Sequence, residues 1–139
     1  MSDNPLADDV WRTMASLVVD NRDSWKRAVV ERTGLPFSRI RILSRLARRP
    51  MSVKQIAQAA TIDAPAATVA VNDLESRGLV IRETDPANRR CKVVSLTGAG
   101  RDVVRDIDGI DDPAPAGLAA LKPAELKQLR TILAKLAAD

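Results

Sequence analysis

Arg77-Gly78-Leu79-Val80-Ile81-Arg82-Glu83-Thr84-Asp85-Pro86-Ala87-Asn88-Arg89-Arg90-Cys91-Lys92-Val93-Val94-Ser95-Leu96-Thr97 is the stretch whose reading decides the fold. Leu79 to Glu83 is rich in β-branched residues and reads as a strand. Asp85-Pro86-Ala87-Asn88 has turn chemistry, and Lys92 to Leu96 reads as a returning strand. The pattern predicts a hairpin with a polar tip. Immediately upstream lie two short helical segments. Ser52-Val53-Lys54-Gln55 matches a capping box, with Val53, Ile56, Ala57 and Ala60 facing inward behind it. Thr61-Ile62-Asp63 makes a turn, Asp63 is placed to cap a helix beginning Ala64-Pro65, and that helix runs through Val71 and Leu74 to its end at Gly78. A hairpin directly after a helix–turn–helix is the winged-helix arrangement, in which the second short helix enters the major groove.

Further outward the chain reads as helices. Val10, Trp11, Met14, Leu17, Val18, Trp25 and Val29 recur at helical spacing and predict one long amphipathic helix over residues 8–32, ended by Gly34. A second helix carries Phe37, Ile40, Leu43, Leu46 and Ala47 on one face and stops at Pro50. Thr97 is placed to cap a helix reaching about Ile107. Gly109, Pro113, Pro115 and Gly117 then break the chain before a closing helix from about Pro123. The expected fold class is mainly α with a small β-hairpin: a winged helix–turn–helix lobe plus a helical dimerisation region from the N- and C-terminal helices. The expected division is 1–34 for an N-terminal dimerisation helix, 35–100 for the DNA-binding lobe and 101–139 for C-terminal dimerisation helices.

Composition narrows the function classes. The chain has 139 residues, enough for one domain with a real core, and its aromatic residues are only Trp11, Trp25 and Phe37. There is no histidine and one cysteine, Cys91, so neither a common metal site nor a Ser–His or Cys–His nucleophile system is available. No cofactor is expected, and the reading is not that of an enzyme. A single cysteine also suits a reducing cytosol; with no signal-like N-terminus and no long apolar run, a cytoplasmic protein with no membrane partner is expected. Charge is segregated. Residues 24–60 carry nine basic side chains against Glu31, whereas residues 1–23 carry five aspartates against two arginines. A basic centre between acidic ends suits a polyanion-binding segment, with solvated helix faces as the plain alternative.

Arg77-Gly78-Leu79-Val80, Asp85-Pro86-Ala87-Asn88-Arg89-Arg90, Val94-Ser95-Leu96-Thr97 and Gly100 together resemble the wing of the MarR family of transcriptional regulators, and the likeness extends more loosely over residues 35–136. Leu121-Lys122-Pro123-Ala124-Glu125-Leu126 also resembles the family's closing helix. The resemblance implies a homodimer, two winged lobes reading a pseudo-palindrome in double-stranded DNA, and repression relieved in many relatives by a small phenolic or lipophilic effector. By the same analogy one of Arg89 and Arg90 salt-bridges Asp85 while the other faces DNA; Arg89 is assigned to the groove and Arg90 to Asp85.

The candidate wing residues are Asp85, Asn88, Arg89, Arg90 and Lys92, since guanidinium groups at a hairpin tip can enter a narrow minor groove or pair with phosphates. On the recognition helix the candidates are Pro65, Ala66, Ala67, Thr68 and Asn72. Thr68 and Asn72 are suited to base edges, and the alanines to close approach. Here the chain departs from the family: Val69 stands where many relatives have a basic residue, and Asp73 and Glu75 are acidic. Ser38, Arg39, Ser52, Lys54 and Gln55, near helix starts, are the candidate phosphate contacts. Trp11, Met14, Leu17, Leu129, Ile132, Leu133 and Leu136 have the spacing of a packed interface, within one subunit or between two. Cys91, beside Arg89, Arg90 and Lys92, reads as an inert strand residue or a thiol primed as thiolate. The acidic recognition helix keeps a second function class open, a winged helix used as a protein–protein module.

Overall fold

The structure is a computed structural model and describes residues 2–137. In chain order the elements are α1 (Pro5–Asp20), α2 (Asp23–Thr33), α3 (Phe37–Leu46), α4 (Val53–Ala60), α5 (Ala64–Ser76), β1 (Val80–Asp85), β2 (Asn88–Leu96), α6 (Gly98–Asp108), α7 (Ala116–Ala119) and α8 (Pro123–Leu136). The single long helix expected over residues 8–32 is two helices. The run Asp20-Asn21-Arg22-Asp23 is poor in helix formers. The Asn21 side chain donates to the Leu17 carbonyl at 2.8 Å and so competes with helix continuation.

The break matters because it is also a boundary. The chain forms two compact units, one of residues up to Asn21 with those from Asp111 onward, the other Arg22 to Ile110. Thus α2 and α6 both belong to the winged lobe, a wider lobe than the expected 35–100. Trp25 and Val29, which looked continuous with the α1 stripe, pack instead around the lobe core. Trp25 meets Phe37 edge to face with ring centroids 5.9 Å apart, and Arg22 lies 3.8 Å over the Trp25 ring.

In the lobe, α2 packs on α3 and α6, α4 on α5, and α5 on β1. Ile40, Leu43, Ile56, Val71, Leu74 and Val94 are buried at its centre. The expected caps form. Ser52 Oγ accepts from the Gln55 amide while Gln55 Oε1 accepts from the Ser52 amide. Asp63 accepts from Ala66 N–H at 2.8 Å, and Thr97 from Gly100 N–H at 3.0 Å. Gly100 is required by a close approach: a Cβ there would lie 2.1 Å from the Leu79 carbonyl oxygen.

The hairpin pairs β1 and β2 antiparallel, with Val80 opposite Leu96 and Thr84 opposite Lys92. Its strands extend beyond the expected ones and leave a two-residue turn at Pro86-Ala87. The sequence reading missed a third pairing: Met51 bridges Val94, each amide donating to the other's carbonyl at 3.1 and 2.7 Å. A one-residue strand leaves no period for a sequence to display.

In the other unit, α1 and α8 bury no residue. Leu6, Val10, Trp11, Leu17, Val18 and Val19 of α1 are exposed, as are Ile132, Leu133 and Leu136 of α8. A four-residue helix, α7, begins at the end of the Pro/Gly-rich stretch 108–117, which reads in the sequence as a break, and runs past it to Ala119.

Candidate nucleic-acid interface

Two surfaces of the lobe carry the sequence-predicted DNA contacts. The first is the outer side of α5. Ala67, Ala70, Val71 and Leu74 turn inward, which leaves Pro65, Ala66, Thr68, Val69 and Asn72 outside. Ala67 is 0% exposed, so its expected place at a groove is corrected: it is a core residue, and its small size serves helix packing. The outer face is nearly uncharged. Thr68 Oγ1 donates to the Ala64 carbonyl at 3.0 Å, so its hydroxyl is left to accept and its methyl to make apolar contact. Val69, 60% exposed at the middle of this face, was not among the sequence candidates. The signal was present, since it lies three positions before Asn72 on the same helix face. An exposed valine between Thr68 and Asn72 is suited to a thymine methyl.

The acidic residues of α5 are matched by arginines. Asp73 accepts from Arg39 Nε at 3.0 Å and from Arg77 Nε at 3.1 Å. Hydrogen bonds from Arg39 first and Arg77 second hold the Asp73 carboxyl below its ordinary range. Glu75 accepts from Arg82 of β1 at 3.0 Å, and that hydrogen bond lowers its pKa in the same way. The same Arg82 nitrogen donates to Asn72 Oδ1. Arg39, expected as a phosphate contact, is therefore engaged with Asp73 across α3 and α5. Arg82, absent from the expected site residues, reaches from β1 to α5. Its role needed tertiary contact, because ten positions separate it from Asn72.

The second surface is the wing tip. The strand register shifts between Thr84, opposite Lys92, and Asp85, opposite Asn88. Arg89, Arg90 and Cys91 therefore have no cross-strand partner and stand out from the ladder, all exposed. Asp85 Oδ1 accepts from the Ala87 amide at 2.9 Å, and Asn88 Oδ1 accepts from the Arg90 amide at 3.2 Å. The expected pairing of Asp85 with Arg90 is not made. Among the described residues no ion pair joins Asp85 to either arginine, because its carboxylate caps the turn instead. Both guanidinium groups are left to the solvent side. Cys91 is a free, exposed thiol within 3.5 Å of Asn88 Nδ2.

The remaining candidates divide by what their polar atoms already do. Ser52 and Gln55 hold the start of α4, whereas Lys54 between them is exposed. Ser38, Arg39 and Arg41 line a cleft of about 230 Å³ with Ile62, Ala66 and Ala70, where α3 meets the start of α5. Among the described residues no group of acidic, cysteine or histidine side chains is placed to hold a metal. No helix among them is long and apolar enough to cross a membrane.

Comparison with known proteins agrees with this geometry. Residues 33–90 match the family model described as the MarR family. Sco3205, a MarR family transcriptional regulator from Streptomyces coelicolor solved in complex with DNA, is 28% identical with a TM-score of 0.63, over 98% of this chain and 91% of that one. The transcriptional regulator BldR from Sulfolobus solfataricus is 24% identical with a TM-score of 0.58, over 97% and 99%. A mutant MepR from a multidrug-resistant S. aureus clinical isolate, at 20% identity, shares the fold with a TM-score of 0.70 over 94% of each chain. Residues 33–90 thus match the MarR family, in a chain whose fold is similar to that of solved MarR transcriptional regulators.

Proposed function

We propose that this chain is a sequence-specific double-stranded DNA-binding regulator of transcription that works in the cytoplasm as a homodimer on a pseudo-palindromic operator, and that it represses. The observation that carries the reading is the pairing, within one lobe, of a nearly uncharged outer face on α5 with a bulged tip that leaves Arg89 and Arg90 without cross-strand partners. A helix whose outer face carries small side chains and no uncompensated negative charge can approach the base edges of the major groove closely. A cationic tip suits the narrow, electronegative minor groove beside it. Lys54 and Lys92 add exposed cations for phosphates. Sco3205, solved with DNA, supports the same mode.

The rival reading, a protein-interaction module, drew on Asp73 and Glu75. Their pairing with Arg39, Arg77 and Arg82 removes that motive. The homodimer is supported by the exposed apolar side chains of α1 and α8, on helices that bury nothing in a single chain. Release by a small phenolic or lipophilic effector rests on the family resemblance.

The test is a fluorescence-anisotropy titration against duplex tiles from the DNA upstream of the protein's own gene, with scrambled duplexes, at two salt concentrations. One tile bound far above its scramble, with affinity falling steeply as salt rises, is the expected result. Absence of binding by a folded dimer would return the protein-interaction reading.

A further inference from the structure

The outer face of α5 has a particular complement of donors and acceptors. The Thr68 hydroxyl already donates to the Ala64 carbonyl, so toward a base edge it is an acceptor only. Val69 contributes methyl groups. Asn72 is the one exposed amide of this helix, and its oxygen is taken by Arg82, whose nitrogen also reaches Glu75 Oε1 at 3.0 Å. A guanidinium has donors and no acceptor, so the atom it meets is the Asn72 oxygen, and the amide nitrogen is left to donate.

This constrains what Asn72 can read. An asparagine that recognises adenine uses both ends of its amide, donating to N7 and accepting from the N6 amino group. Here a cation is seated on the accepting end. The second lone pair of the oxygen does not restore the contact, because an approaching amino group meets the positive guanidinium beside it. Guanine O6 and N7 or thymine O4 meet a donor with a cation behind it, whereas adenine offers that donor only N7, with the N6 amino group turned toward the guanidinium.

Resting on the assignment of α5 as the recognition helix, we propose that Arg82 is a specificity-positioning residue, fixing the Asn72 amide as a donor so that it selects an acceptor-bearing base, guanine or thymine, and discriminates against adenine. Arg82 need not touch the base. It acts through the orientation and field at Asn72, held in place by its second hydrogen bond to Glu75.

The experiment is a binding selection on the full chain with randomised duplexes, followed by anisotropy titration of the best duplex with every base pair substituted in turn. The base pair read by Asn72 is the one whose discrimination disappears in Asn72→Ala. At that pair the parent is expected to prefer guanine or thymine over adenine by about fivefold per half-site, as for one net hydrogen bond. Arg82→Met, which keeps the aliphatic stem and removes the donors, is expected to shift preference at that pair toward adenine while leaving the other pairs unchanged. A general loss of affinity without that local change is what a merely structural role would give. Replacing thymine by deoxyuridine, or guanine by 7-deazaguanine, separates the two acceptors; a methyl effect points to thymine beside Val69. A parental preference for adenine overturns the proposal even if the variant fails to fold, and so do superimposable profiles for parent and Arg82→Met. A folded parent with no base preference anywhere overturns the DNA-recognition reading itself, and this proposal with it.

Discussion

Truncating Trp11 to alanine tests the assembly on which the palindrome argument depends. The indole is 67% exposed on α1, a helix that buries no residue of its own chain. A tryptophan presents up to roughly 250 Å², so about 170 Å² of it awaits cover, and at ~25 cal/mol per Å² full burial contributes about 4 kcal/mol. Alanine keeps the Cβ, and neighbours relax around the gap, so the loss expected per protomer is about 2–4 kcal/mol. A two-fold axis applies the substitution twice, giving about 4–8 kcal/mol per dimer, or roughly three to six decades in the dissociation constant. Sedimentation velocity over a concentration series measures this directly, with circular dichroism to show that the lobe, whose core lies wholly within residues 22–110, remains folded. Trp11→Ala is expected to be a monomer at concentrations where the parent is a dimer. A shift below tenfold would refute the reasoning by showing that α1 is not covered by a second copy, and a monomeric parent at micromolar concentration would refute the dimer altogether.

Arg89→Ala is expected to weaken duplex binding about a hundredfold, from about 1.5 kcal/mol for a charged hydrogen bond at each of two wings, with the dimer intact by sedimentation. Unchanged affinity at physiological salt would remove the wing assignment. Gly100→Ala forces a Cβ to within 2.1 Å of the Leu79 carbonyl oxygen, and the lobe is expected to lose about 3 kcal/mol or more, read as a lower urea midpoint. Asp73 has its folded pKa held below the ordinary value of 3.8, so its ion pairs stabilise the lobe fully above that value and the contribution fades as pH falls through the lower, folded pKa. The stability difference between the parent and Asp73→Asn, followed by denaturant titration, is therefore expected at neutral pH and should shrink in strong acid. A difference that grows on acidification would contradict the Arg39–Asp73–Arg77 arrangement.

Much of the lobe was legible in the residues because its signals are local. The Ser52–Gln55 box, the Asp63 and Thr97 caps, the Gly34 and Gly78 helix ends and the strand–turn–strand alternation each depend on side chains within a few positions of the backbone they satisfy. The order of those elements was enough to imply a winged helix. What stayed hidden was non-local or below the length of a period. The helix break at Asn21 interrupts a hydrophobic stripe that continues in register through it, so periodicity alone joined two helices that belong to different units. Ala66 and Ala67 are indistinguishable in type, and only packing decided that the second faces the core.

The sequence by itself determined the inventory of the site: a helix without basic residues, two arginines at a turn, no histidine and a single cysteine. Only the tertiary structure decided which groups remain free to bind. Arg39 is drawn from the phosphate candidates to Asp73, Asp85 turns from its expected arginine to the Ala87 amide, and Arg82 crosses from β1 to occupy the oxygen of Asn72. The physical reason is that a charged side chain's availability is set by the strongest partner within reach. Reach is a property of the fold, which brings together residues 34 positions apart as readily as neighbours.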